Sequence, residues 1–109
     1  MLLERLIEAK GVSGNEHEVR SLILREIKKY VKKVKIDKFG NIIASKEGKG
    51  SRVMLVAHMD EVGLMIKSIN DKGGILCSSI GGVKPISLIG QKIGINTKKG
   101  RFMVLLVLL

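Results

Sequence analysis

The sequence predicts an α/β fold, helices covering a mixed sheet, that gives way to a small all-β unit. Three observations lead there. Apolar residues recur at helical spacing up to Val31, an apolar run at 53–57 empties into a cluster of titratable side chains, and no helical periodicity of any length follows Gly63. At 109 residues and 45% apolar composition, the chain is one domain's worth or less and can still bury a core. With one Tyr, two Phe and no Trp, that core must be built of Ile, Leu, Val and Met.

Each element follows from local pattern. Leu2, Leu3, Leu6 and Ile7 share one helical face, and Gly11 stands where a C-cap belongs, which predicts a short first helix. Ser13 with Glu16 three residues on reads as a capping box. Val19, Leu22, Ile23, Ile27, Tyr30 and Val31 then step by three and four, predicting a helix over about 15–33. Residues 34–38 alternate apolar and charged, Phe39-Gly40-Asn41 is a turn signal, and 42–45 is apolar again, so the two pieces pair as a hairpin. The polar 47–51 connection leads to the run at 53–57, read as a buried inner strand. Beyond Gly63 a second hairpin is expected from 64–69 and 75–80 around the Asn70-Asp71-Lys72-Gly73-Gly74 turn. Two further strands, 91–96 and 101–109, follow Pro85 and are joined by Thr97-Lys98-Lys99-Gly100.

Charge and cysteine content narrow the function classes. The formal net charge of +10 raises nucleic acid or an acidic partner as a question. Arg20, Arg25, Lys28, Lys29, Lys32 and Lys33 line the back of the long helix. Four of them lie near its C-terminus, where the helix dipole favours cations, so a solvated face is preferred over a phosphate-binding one. His17, between Glu16 and Glu18, reads as an exposed helix residue. The single Cys77 cannot form an internal disulfide, and the N-terminus lacks a signal peptide's arrangement. Both point to the cytoplasm. The apolar tail from 102 to 109 is far short of the ~20 residues a helical span needs, so no membrane is expected.

The chemistry gathers where the 53–57 run ends, at His58, Met59, Asp60 and Glu61. In open α/β sheets ligands bind at the carboxyl ends of strands. His58 and Asp60, one residue apart on an extended backbone, point the same way, which suits a metal-bound imidazole supported by a carboxylate. Taken alone, His-x-Asp is weak evidence. A His and an Asp capping a loop is the favoured explanation until context is added.

The context is extended. GVSGNEHEVR, KFGNIIASKEGKG, VMLVAHMDEVGLMIKSI and IGGVKPISLIGQKIGI, in this order and spacing, resemble the N-terminal third of the tetrahedral aminopeptidases, also described as glutamyl or deblocking aminopeptidases. The likeness runs from Leu2 to about Gly100, and AHMDEVG is its most specific part. It implies a partial zinc-peptidase-like catalytic domain over 1–62 and the start of an inserted β-barrel domain over 63–109. It implies a dinuclear metallopeptidase, usually with zinc or cobalt, releasing N-terminal residues from peptides within a homo-oligomeric shell. It also implies that His58 is a metal ligand and that Asp60 orients it, while Glu61 matches the motif without a separate role.

Counting ligands limits what this chain can hold. After His58 there is no further His, and the only acids are Asp60, Glu61 and Asp71. Two metals with about three protein ligands each cannot be held by that set. In the family the bridging Asp, the catalytic Glu, two acidic ligands and the second His lie further downstream. The ending FMVLLVLL departs from the family pattern, and the expectation is a frameshifted or truncated gene rather than an authentic last strand. The chain alone is therefore expected to be inactive, with at most one weak metal site. Two rival readings stand beside this one. The first is a small basic nucleic-acid-binding module, disfavoured because base stacking needs exposed aromatics and at least two of Tyr30, Phe39 and Phe102 lie on apolar faces. The second is a non-catalytic remnant that associates with a full-length relative through unpaired strand edges.

Overall fold

In a computed structural model, residues 1–107 are described, and the chain forms two compact units, Met1–Glu61 and Val62–Leu109. The first unit contains helices α1 (Leu2–Glu8) and α2 (His17–Ile27) and strands β1 (Lys33–Ile36) and β2 (Ile42–Ser45). Helix α1 packs on α2, and α2 lies against β2. The core is small: Ala9, Val19 and Leu22 are buried, with Leu6, Ile23 and Met59 packed around them. Met59 matters here, because it carries the loop at 58–61 onto the same core as the helices.

Helix α2 is shorter at both ends than the apolar spacing predicts. Its N-cap is Glu16, without a side-chain cap, so the Ser13–Glu16 capping box does not form. The Glu16 carboxylate instead accepts the Gly14 N–H. At the other end the ladder tightens, with Lys29 N–H donating to Glu26 O and Tyr30 N–H to Ile27 O, and the helix stops. Helices in proteins persist mainly where an apolar face is packed. Tyr30 is 78% exposed and has nothing to pack on. Lys32 and Lys33 therefore lie beyond the helix, and Lys33 opens β1. Similarly, α1 is capped at Ala9 rather than closed at Gly11.

The β1–β2 hairpin is antiparallel, with Lys33 opposite Ser45 and Ile36 opposite Ile42. Asp37 organises its turn. Oδ1 accepts the N–H groups of Phe39 and Asn41, both at 2.9 Å, and Oδ2 accepts Asn41 Nδ2–H at 2.8 Å. Gly40 takes φ of +91°, which side-chain-bearing residues rarely adopt. Hydrogen bonds from the Asn41 side chain, then from the turn's backbone, hold the Asp37 carboxyl below its ordinary 3.8. A depressed carboxylate contributes stability that is present above the unfolded value and lost as pH falls through the folded one. The exchange protection factors of Asn41 and Phe39 are thus expected to hold down to about pH 4 and to be lower in Asp37→Ala above that pH, with the difference vanishing once the carboxyl is protonated.

The second unit is all-β. Strands β3 (Gly63–Ile69) and β4 (Ile75–Ile80) pair antiparallel, with a bulge between Ile66 and Ser68 that leaves Lys67 outside the register. Asn70 closes their turn by accepting the N–H groups of Lys72 and Gly74. After a 3-10 turn at Pro85–Leu88, β5 (Lys92–Thr97) pairs with β6 (Gly100–Leu105). The expected strand at 101–109 is thus displaced to end at Leu105, and its last two residues lie outside the described ones. Cys77 is half-buried on β4 and free. Among the described residues, no helix is long and apolar enough to cross a membrane.

Two expectations for the sheet fail together. The described residues hold three separate two-stranded antiparallel sheets and no mixed sheet, so the architecture is α/β with small hairpin sheets. Residues 53–57 are not a strand, and Val53, Met54, Leu55 and Val56 are 81–93% exposed. An inner strand is buried only between neighbours. Each hairpin here completes its own ladder, and among the described residues none pairs with 53–57.

Candidate functional site

The loop at 58–61 is held by a second segment fifty residues earlier. Glu61 N–H donates to Gly11 O at 2.7 Å, and Ser13 N–H donates to Glu61 O at 3.2 Å, forming a parallel bridge between Val12 and Glu61. The Glu61 side chain adds a third bond, Oε1 accepting Gly11 N–H at 3.1 Å. Gly11 is required by proximity: a Cβ there would sit 2.8 Å from Val19 Cγ1 and 3.1 Å from the Met59 carbonyl oxygen. The core helix, the 11–13 segment and the loop thus converge on one glycine.

On this base stand His58 and Asp60. The His58 Nδ1 lies 3.0 Å from Asp60 Oδ1 and 3.1 Å from the Asp60 carbonyl oxygen. Both partners are acceptors, so Nδ1 must carry the proton and donate, and Nε2 is left with its lone pair outward. The imidazole is 85% exposed and the carboxylate 42%. The hydrogen bond from His58, with a further one from the Ser13 side chain, holds the Asp60 carboxyl below its ordinary 3.8. An imidazole oriented by a carboxylate through Nδ1, with Nε2 pointing away, is the arrangement proteins use to present histidine to a metal.

The donor set fits one ligand position. No group of three or more His, Cys, Asp or Glu side chains converges among the described residues, and the Glu61 carboxylate is engaged with Gly11. His17 is different in kind. It is exposed at the start of α2, and its Nδ1 faces the Arg20 guanidinium, which can only donate, so the proton belongs on Nε2.

The structure brings His58 and Asp60 together and adds Gly11, Ser13 and Glu61, which sequence reasoning missed as parts of the site. A glycine where a C-cap is expected and a serine in a cap pattern look locally explained, and nothing local marks a contact across fifty residues. Three of the basic residues are engaged with neighbours. Lys29 pairs with Glu26, Arg20 with His17 and Lys33 with Glu47. The aromatics are exposed, Tyr30 and Phe39 at 78% each and Phe102 at 54%, although Phe102 pairs with Ile95 on a sheet face that also carries Ile93 and Val104. Exposed as they are, these three aromatics do not argue against nucleic-acid binding.

An α/β segment presenting a carboxylate-buttressed imidazole on an anchored loop is the class that the fold and site define. Residues 40–108 match the M42 glutamyl aminopeptidases, and the chain belongs to that family. It is 46% identical over 100 residues to the lysyl aminopeptidase of Pyrococcus furiosus, covering 91% of this chain and 29% of that protein. Among solved structures it is similar to the TET aminopeptidase of a marine-sediment Thaumarchaeota archaeon, with TM-score 0.88 and 31% identity over 95% of this chain and 30% of that one. It is also similar to the TET1 peptidase of Pyrococcus horikoshii, which can assemble into a tetrahedron or a large octahedral shell. There the TM-score is 0.86 and the identity 33%, over 97% of this chain and 32% of that one. The chain spans less than a third of the length of each of these relatives.

Proposed function

We propose that this chain is the first segment of a metal-dependent aminopeptidase that releases N-terminal residues from peptides, contributing one metal ligand, His58, and its orienting partner, Asp60. The observation that carries the reading is the His58–Asp60 pair, with Nε2 free, in a chain of this family. In this reading residues 1–62 belong to the catalytic domain and 63–109 begin an inserted β domain, a division supported by the two compact units. The exposed 53–56 side chains fit a strand whose neighbours lie elsewhere in a full-length enzyme, and homo-oligomeric assembly is proposed by kinship.

The chemistry a pair of divalent ions, zinc or cobalt, supplies when bound is water activation and polarisation of the scissile carbonyl. What this chain supplies is the Nε2 donor of His58. Asp60 keeps the proton on Nδ1 and fixes the ring plane, and the Ser13 side chain in turn supports Asp60. A general base that accepts the water's proton and the remaining ligands must come from outside this segment.

The test is a chimera in which this chain replaces the matching segment of the Pyrococcus furiosus lysyl aminopeptidase. Assayed on an aminoacyl-nitroanilide with added zinc or cobalt, the chimera is expected to turn over substrate. The 109-residue chain alone is expected to show no turnover above its own His58→Ala control. Turnover by the isolated chain would refute the segment reading.

A further inference from the structure

We propose that Glu61 is a positioning residue: its carboxylate, accepting the Gly11 N–H, ties the 58–61 loop to the 11–13 segment and so holds the His58–Asp60 pair in its ligating geometry. The geometry sets this glutamate apart from a solvated surface acid. Its Oε1 reaches a backbone N–H fifty residues away at 3.1 Å. Its own N–H and carbonyl bond to the same segment, at Gly11 O and Ser13 N–H. Three bonds from one residue thus close a ring that also contains Gly11.

The side-chain bond gives the clasp its register. The two backbone bonds alone form an isolated bridge, with no flanking ladder to keep it. Without the carboxylate, Gly11 N–H would have to find water, and the loop could slide against the 11–13 segment. Asp60 is directly attached to Glu61, and its carboxylate and carbonyl oxygens are the two acceptors that set the His58 tautomer. Sliding of Glu61 therefore moves both acceptors relative to the imidazole.

The functional meaning rests on the reading of His58 as a metal ligand, but the test does not need metal. In the 109-residue chain, free of metal and in mildly alkaline buffer, nitrogen-15 NMR of the two imidazoles reads their tautomers directly. The expected result is His58 protonated on Nδ1 and His17 on Nε2, opposite tautomers in one chain. Glu61→Ala is expected to abolish the Nδ1-protonated preference of His58 while leaving His17 and the Val19 and Leu22 methyl signals in place. Glu61→Gln, which retains an acceptor oxygen, is expected to keep it. The clasp is refuted if wild-type His58 shows the tautomer mixture of a free imidazole, if Glu61→Ala leaves it unchanged, or if Glu61→Gln behaves as Glu61→Ala does. Titration with cobalt(II) chloride separately tests the ligand reading. His58 ring signals should broaden before those of His17, and equal broadening would remove the metal role while leaving the clasp standing.

Discussion

In a chimera that carries this chain in place of the matching segment of the Pyrococcus furiosus enzyme, His58→Ala is expected to reduce turnover to the background of the isolated chain. Asp60→Ala should cost only about 10–100-fold in activity or metal affinity. The difference follows from what each side chain does. Removing His58 deletes a donor atom that no other described side chain can replace, since Glu61 is engaged with Gly11 and no other His, Cys, Asp or Glu forms a group there. Removing Asp60 leaves the Nε2 donor and one of the two Nδ1 partners, the backbone carbonyl at 3.1 Å, so the correct tautomer survives in part. Equilibrium dialysis with zinc, run beside the assay, separates the two cases. Asp60→Ala should bind metal at higher zinc concentration, and His58→Ala should lose one metal per subunit. Equal losses for both variants would mean that Asp60 is as necessary to metal binding as His58, which would overturn its role as a purely orienting partner.

Much of this arrangement is legible along the chain, and what is not has a common cause. The hairpins can be read because turn chemistry is local: Asn70 with Gly73 and Gly74, or Phe39-Gly40-Asn41, encode a reversal within a few residues. The His58–Asp60 contact can be read for the same reason, since two alternate residues on an extended backbone must face alike. The failures are all matters of partners. Residues 53–57 have the composition of an inner strand, yet a strand is a property of its neighbours. Tyr30 and Val31 continue the helical spacing of α2, but spacing does not supply a surface to pack against. Ser13 and Glu16 have the sequence of a capping box, and Ser13 N–H instead bonds to Glu61, distant in sequence and adjacent in space. Gly11 is the sharpest case. As a residue it suggests a helix end, and its actual constraint is the 2.8 Å approach of Val19.

That constraint supports the second large effect. Gly11→Ala places a methyl group 2.8 Å from Val19 Cγ1, inside contact distance of a buried side chain, and 3.1 Å from the Met59 carbonyl. Overpacking of this kind typically costs about 1–3 kcal/mol. A unit whose buried apolar core is Ala9, Val19 and Leu22 has little to offset that cost, so its melting temperature should fall by at least about 4 °C. The direction of relief matters more than the cost. Val19 is pinned by α2 and the core, so relief falls on the contact between the 11–13 segment and the 58–61 loop, and a shift there carries Asp60 away from His58. Two other glycines separate this from general destabilisation. Gly14 has φ of +87° and nothing within 4 Å of where a methyl group would stand, so Gly14→Ala should strain the backbone without pushing the loop. Gly48, with open space and no positive φ, should accept Ala within about 0.5 kcal/mol. Loss of the His58 Nδ1-protonated signature in Gly11→Ala, against its retention in Gly14→Ala at a comparable drop in melting temperature, is the expected pattern. The same loss in both would mean that the pair depends on the stability of the whole unit and not on the approach of one methyl group.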